Sequence, residues 1–184
     1  MKPGRAMRFP WLGRDVPHAI LDVGRGWDAG CPGCYNSRGG GFKSFEQLGA
    51  DFAALRKLRR LQTVSLTGGE PALHPDIERI VALISRSGVK PALLTNGIRF
   101  PAELLRRLRA AGLSAVLLHI QPPQRRADIS KDAPRVEWQR LRAEKARMLR
   151  GFGLKAGLTW IAYRTRLDEL ASVLEEVLDS PDLD

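Results

Sequence analysis

Apolar residues recur along this chain in two alternating ways: as short continuous runs, and as single faces repeated every three or four positions. The runs AILDVG (19–24), QTVSLTGG (62–69), PALLTNG (91–97), SAVLLHIQ (114–121) and KAGLTWIAY (155–163) have the length and β-branched content of buried strands. Helical patterns lie between them. Phe45, Leu48, Phe52 and Leu55 share one face of a helix over 45–59, which Ser44 and Gln47 open as a capping box. Ile77, Ile80, Val81 and Ile84 form the inner face of the next helix, with Pro75 in its first turn and Gly88 as its stop. Residues 101–112 make a third helix closed by Gly112, and residues 136–150 a basic fourth. A last helix, capped by Thr165 and Asp168, runs to about Asp179.

Five strand-then-helix units predict a parallel sheet covered by helices, either open and doubly wound or curved like part of a barrel. Both arrangements gather ligands in the loops that follow the strands, here 24–40, 68–74, 96–100, 119–126 and 162–165. The chain reads as an N-terminal extension over 1–18 and a core domain over 19–184. Its last residues, DSPDLD, come directly after the fifth helix, where a fuller barrel would need a sixth strand. The expectation is a truncated core, or a sheet edge completed by an oligomer or a partner.

A hydrophobic share of 43% over 184 residues suits one globular domain. No apolar run approaches the roughly 20 residues that span a bilayer, and the N-terminus lacks the apolar segment and cleavage site of a signal peptide. A cytoplasmic protein without membrane contact is expected. The net charge is +10, and 23 of the 30 cationic residues are arginine, a balance that favours acidic partners. The charges are spread over most helices, however. Only Arg135, Arg140, Arg142, Lys145, Arg147 and Arg150 form a dense group, and these read as a solvated helix face. A basic RNA-binding module has the charge as its sole support, so nucleic acid is not an expected partner.

The only cysteines, Cys31 and Cys34, sit in GRGWDAGCPGCYNSR after the first strand. Two thiols at C-x-x-C spacing point to metal or redox chemistry rather than to a disulfide framework. A redox pair, or a zinc ion shared across a dimer, is one reading, and Pro32-Gly33 allows the tight turn it needs. A thioredoxin-like dithiol would open a helix, whereas YNSRGGGFK cannot run as one.

Three loops taken in order change the picture. GWDAGCPGCYN after the first strand, LTGGEP after the second and LLTNG at the third resemble the radical S-adenosylmethionine (radical SAM) superfamily, over roughly residues 19–163. The resemblance implies an α/β fold with a curved parallel sheet: a partial (βα)₆, TIM-barrel-like core, here short of its last strand. It implies a 4Fe–4S cluster held by the three thiolates of a C-x₃-C-x₂-C loop. It also implies S-adenosyl-L-methionine, cleaved reductively to a 5′-deoxyadenosyl radical that acts on a substrate the sequence does not identify. An electron-donor protein is an implied partner.

Carried over by position, Cys31 and Cys34 match the second and third cluster ligands, and Trp27 stands where the first should be. Indole offers no lone pair to iron. Asp28, one residue along, is a poorer oxygen substitute; an outside thiol or a partner's residue is another. The remaining reading is an altered copy with lost or impaired catalysis. Gly68, Gly69 and Glu70 match the turn that receives the amino group of S-adenosylmethionine. Asn96 either lines the pocket or holds a left-handed turn with Gly97. Tyr35, beyond Gly33 where the family often has its adenine-contacting aromatic, reads as packing. His119, Gln121, Gln124 and Arg125 point as a group to the mouth, and Trp160 and Ile161 either wall the adenine pocket or pack in the core. Beside this reading stand the C-x-x-C metal or dithiol module, a non-catalytic protein of the same fold, and the RNA-binding module.

Overall fold

β1 (His18–Asp22), β2 (Thr63–Thr67), β3 (Lys90–Thr95), β4 (Ala115–Leu118) and β5 (Lys155–Leu158) form one sheet in a computed structural model that describes residues 17–32, 34, 36 and 40–183. Each strand lies beside the one before it in the order β1-β2-β3-β4-β5, and every pair is parallel. A doubly wound sheet reverses direction at a switch point, whereas a sheet that always grows on the same side is a barrel segment. The strand order thus selects the curved arrangement. Among the described residues the outer edges of β1 and β5 have no strand beside them.

Alternate strand residues face the helices. Leu21, Val64, Leu66, Leu93, Val116 and Leu118 join the inner faces of α1 (Phe45–Leu58), α2 (Ile77–Arg86), α3 (Ala102–Ala110) and α4 (Arg135–Gly151) in one core. The capping box of α1 forms: Gln47 N donates to Ser44 Oγ at 3.2 Å, and Ser44 N donates to Gln47 Oε1 at 2.8 Å. Leu48 and Phe52 are buried, with Phe45 and Leu55 packed half-buried beside them. All four apolar residues expected on α2 are buried, as are Leu104, Leu105 and Leu108 of α3.

Three expectations need correction. The fifth strand ends at Leu158 rather than 163. Thr159 N still bonds Leu118 O at 2.8 Å, but beyond it the chain leaves the ladder and is held by a side chain, described below. The last helix, α5 (Asp168–Asp179), has Leu167 at its N-cap with no side-chain bond. Asp168 lies in its first turn, where a carboxylate meets the positive end of the helix dipole instead of capping it. The side chain of Thr165 lies outside the described residues, as do residues 1–16, Gly33 and Tyr35. Finally, α4 is not wholly a solvated face. Arg142 is 2% exposed and its guanidinium grips Glu176 of α5, with Nε–Oε1 at 2.7 Å and Nη2–Oε2 at 2.5 Å. Its remaining nitrogen donates to Ile120 O at 3.2 Å, so the buried charge is paired and hydrogen-bonded as burial demands. No helix among the described residues is long and apolar enough to cross a membrane.

Leu105 is fully buried where α3 meets the sheet. Leu105→Ala is expected to lower the free energy of unfolding by about 2–5 kcal/mol, read as a lower urea midpoint at unchanged slope.

Candidate functional site

The cysteine loop leaves β1 and lies against the turn that follows β2. Val23 N donates to Thr67 O at 2.8 Å, and the loop then meets the turn backbone to backbone: Gly69 N to Gly24 O at 2.8 Å, Glu70 N to Gly26 O at 2.6 Å. A Cβ on Gly69 would stand 1.9 Å from Gly26 O. One on Gly68, whose φ is +125°, would stand 2.5 Å from Gly24 O. The two glycines are therefore required by the approach of the cysteine loop itself.

Glu70 is 1% exposed. Its Oε1 accepts from Ala72 N (2.9 Å) and Thr95 Oγ1 (2.6 Å), and its Oε2 from Asn96 N (2.8 Å). Burial pushes its pKa up, while those three donors oppose the shift. Asn96 is likewise committed: its Oδ1 accepts from Ile98 N at 2.8 Å, the side-chain turn expected with Gly97, and its Nδ2 donates to Asp28 Oδ1 at 2.8 Å. The other oxygen of Asp28 receives Arg99 Nε at 3.2 Å. Asp28 thus faces the β3 loop, with both oxygens occupied.

The loop after β4 closes the site from the other side. Gly30 and Arg125 exchange backbone hydrogen bonds of 2.9 and 2.8 Å, and the Arg125 side chain is exposed. Gln124 Nε2 lies 3.3 Å from Cys31 Sγ and 3.3 Å from His119 Nδ1. Because that amide can only donate, His119 accepts at Nδ1 and donates from Nε2 to Gln121 Oε1 at 3.2 Å, the neutral tautomer. Burial lowers the His119 pKa, which favours the same form. Gln121 then binds Ile161 twice, accepting from its N at 2.6 Å and donating to its O at 3.1 Å.

Arg126, which sequence reasoning passed over for Arg125, has a fully buried side chain. It bonds Asn96 O at 2.8 Å and Gln124 Oε1 at 3.3 Å, with Asp128 across its fork at 2.8 and 2.9 Å. The acid two residues on was its one signal in the sequence.

These loops enclose a cavity of about 360 Å³ at the C-terminal ends of the strands. Trp27, Cys31 and Cys34 line it together with Gly68, Gly69, Leu94, His119 and Ile161. Glu70, Asn96 and Gln124 also border it, as do Thr67, Thr95 and Thr159, which sequence reasoning missed because nothing marks them out from other strand threonines. Asp28, Gln121, Arg125 and Trp160 are not in its lining.

The residues do not fit a three-thiolate cluster. Two thiols and an indole line the cavity, both oxygens of Asp28 are taken by Asn96 and Arg99, and no group of three His, Cys, Asp or Glu among the described residues could hold a metal ion. A dithiol at a helix start is not found either, since Cys31 and Cys34 lie in irregular chain. The volume and mixed lining do suit a small organic ligand.

Cys31 is held above the ordinary thiol range chiefly by burial, with the Gln124 hydrogen bond opposing. A raised pKa means less thiolate at a given pH. Alkylation of Cys31 by iodoacetamide at pH 8 is therefore expected to lag a free cysteine peptide and to catch up only at higher pH, as followed by mass spectrometry. Gly69→Ala should dislodge the loop, read as faster alkylation of both cysteines.

The family model described as the Radical SAM superfamily matches residues 23–177. A probable GTP 3′,8-cyclase of Pyrobaculum aerophilum is 30% identical over 134 residues, 70% of this chain and 43% of that protein. A PqqA peptide cyclase of Streptomyces rochei is 28% identical over 127 residues, 68% of this chain and 34% of that protein. The chain thus spans less than half the length of either. The structure of Streptococcus suis SuiB bound to S-adenosylmethionine superposes with a TM-score of 0.68 at 13% identity, covering 93% of this chain and 40% of that one. At that identity the likeness is one of fold.

Proposed function

The chain belongs to the radical SAM superfamily, and from that premise we propose that it binds S-adenosylmethionine but does not build the family's 4Fe–4S cluster on its own cysteines. In the family the cluster supplies the electron for reductive cleavage of S-adenosylmethionine. The observation that supports the reading is that Trp27 lines the cavity together with Cys31 and Cys34, the two thiols of the motif. Catalysis by this chain is accordingly impaired, while the binding side of the site is kept.

Within the motif, the binding role falls to main chain rather than to the Glu70 carboxylate. Glu70 spends both oxygens on the β2 and β3 loops, so it shapes the turn rather than receiving an ammonium. Gly68 and Gly69 have no side chains, so what they offer the cavity is main chain, whose carbonyls are acceptors for that ammonium. Trp27, Leu94 and Ile161 supply apolar surface for a purine ring.

Two measurements test the two halves. Titration calorimetry of the chain with S-adenosylmethionine is expected to show saturable binding in the absence of iron. After anaerobic reconstitution with iron and sulfide, Trp27→Cys is expected to hold about four irons per chain with the broad visible absorption of a cluster, and the wild type less than about half of that. Equal iron uptake by the two chains would overturn the reading of position 27. No binding of S-adenosylmethionine by either would overturn the binding half.

A further inference from the structure

β5 continues into a segment whose residues face two different cavities. Thr159 and Ile161 line the cavity described above, while Trp160, between them, lines a second of about 380 Å³. This outer cavity lies among the loop after β4, the start of α4 and α5, and its volume is that of a small-molecule site.

We propose that the outer cavity is a binding site for a small aromatic anion, its ring against Trp160 and the Pro122–Pro123 edge and its oxyanion toward Arg135. Three observations carry this. First, the wall combines the Trp160 indole with two prolines, and the Arg142 guanidinium stands 5.4 Å over the Trp160 ring. Second, cations in the lining outnumber anions: Lys131, Arg135, Arg142 and Arg166 against Asp132 and Glu169. Lys131 is held by Asp132 at 3.1 Å, Arg166 by Glu169 at 2.6 Å and Arg142 by Glu176. Arg135 has no ion pair among the described residues and is exposed at the rim. It is the cation available to a ligand.

Third, Arg135 opens α4, a helix of 17 residues whose N-cap is Pro134 and which has no side-chain cap. Its first N–H groups and its dipole favour negative charge at the end where Ala133 and Arg135 line the cavity.

Carboxylate and phosphate share this chemistry, so calorimetry would use benzoate and phenyl phosphate, with inorganic phosphate and benzylamine as controls. At least one aromatic anion is expected to saturate the site, and which one does so identifies the oxyanion. Inorganic phosphate should bind about tenfold more weakly or worse, and benzylamine not at all. Arg135→Ala should weaken binding about tenfold at unchanged thermal midpoint, since the side chain is exposed and supports no packing. Trp160→Phe should retain binding that Trp160→Ala loses. The proposal is overturned if neither aromatic anion saturates, if Arg135→Ala binds as the wild type does, or if S-adenosylmethionine displaces the bound anion.

Discussion

Everything at the mouth of this barrel segment depends on the contact between the cysteine loop and the Gly68–Gly69 turn. There two stretches of main chain approach so closely that a single Cβ at Gly69 would overlap Gly26 O at 1.9 Å. The contact is made by two N–H groups of the turn and two carbonyls of the loop, leaving neither set unpaired as it is buried. With the loop fixed on that side, its other residues reach the remaining strands. Asp28 meets Asn96 after β3, Gly30 pairs with Arg125 after β4, and Pro32 O accepts from Tyr163 Oη at 3.0 Å after β5. A loop too rich in glycine to hold its own shape is thereby held by its neighbours.

Two polar networks stiffen this arrangement. On the β2–β3 side the buried Glu70 carboxylate joins three donors, from the turn after β2, the end of β3 and the loop beyond it, so a charge that would be costly alone becomes a hub. On the β4–β5 side Gln124, His119 and Gln121 form a chain of side-chain hydrogen bonds from Cys31 Sγ to the backbone of Ile161. Gln121 presents both a donor and an acceptor to one residue, as a neighbouring strand would. Its amide takes over where the β4–β5 ladder ends. Along this stretch Thr159 and Ile161 line one cavity and Trp160 the other.

The placement of Trp27 bears on chemistry in a way no packing argument removes. The surrounding turn, strands and loops are those of a radical SAM core. The indole stands on the cavity wall beside two thiols, a surface suited to an organic ligand and not to a third iron bond. On the proposed reading, the binding half and the cluster half of the family's site are separable in this chain. The fold that supports them does not distinguish the two.

The sequence by itself determined the alternation of strands and helices, the capping box at Ser44, the buried faces of α1 and α2, and the order of the loops that carry chemistry. Each of these is written in local spacing: period, cap and turn residues act within a few positions. It also determined that position 27 lacks a thiol. Only the tertiary structure decided that the strands add in one direction, because strand order depends on crossovers that local patterns do not record. Only it showed that the two glycines serve the approach of the cysteine loop, that Asp28 turns to Asn96, and that Arg126 rather than Arg125 is drawn inside. It also showed Arg142, one arginine in a basic helix, buried against Glu176 from the next. Each of these depends on partners distant in sequence, and burial makes such pairings decisive because a buried polar group must find its partner wherever the fold brings one.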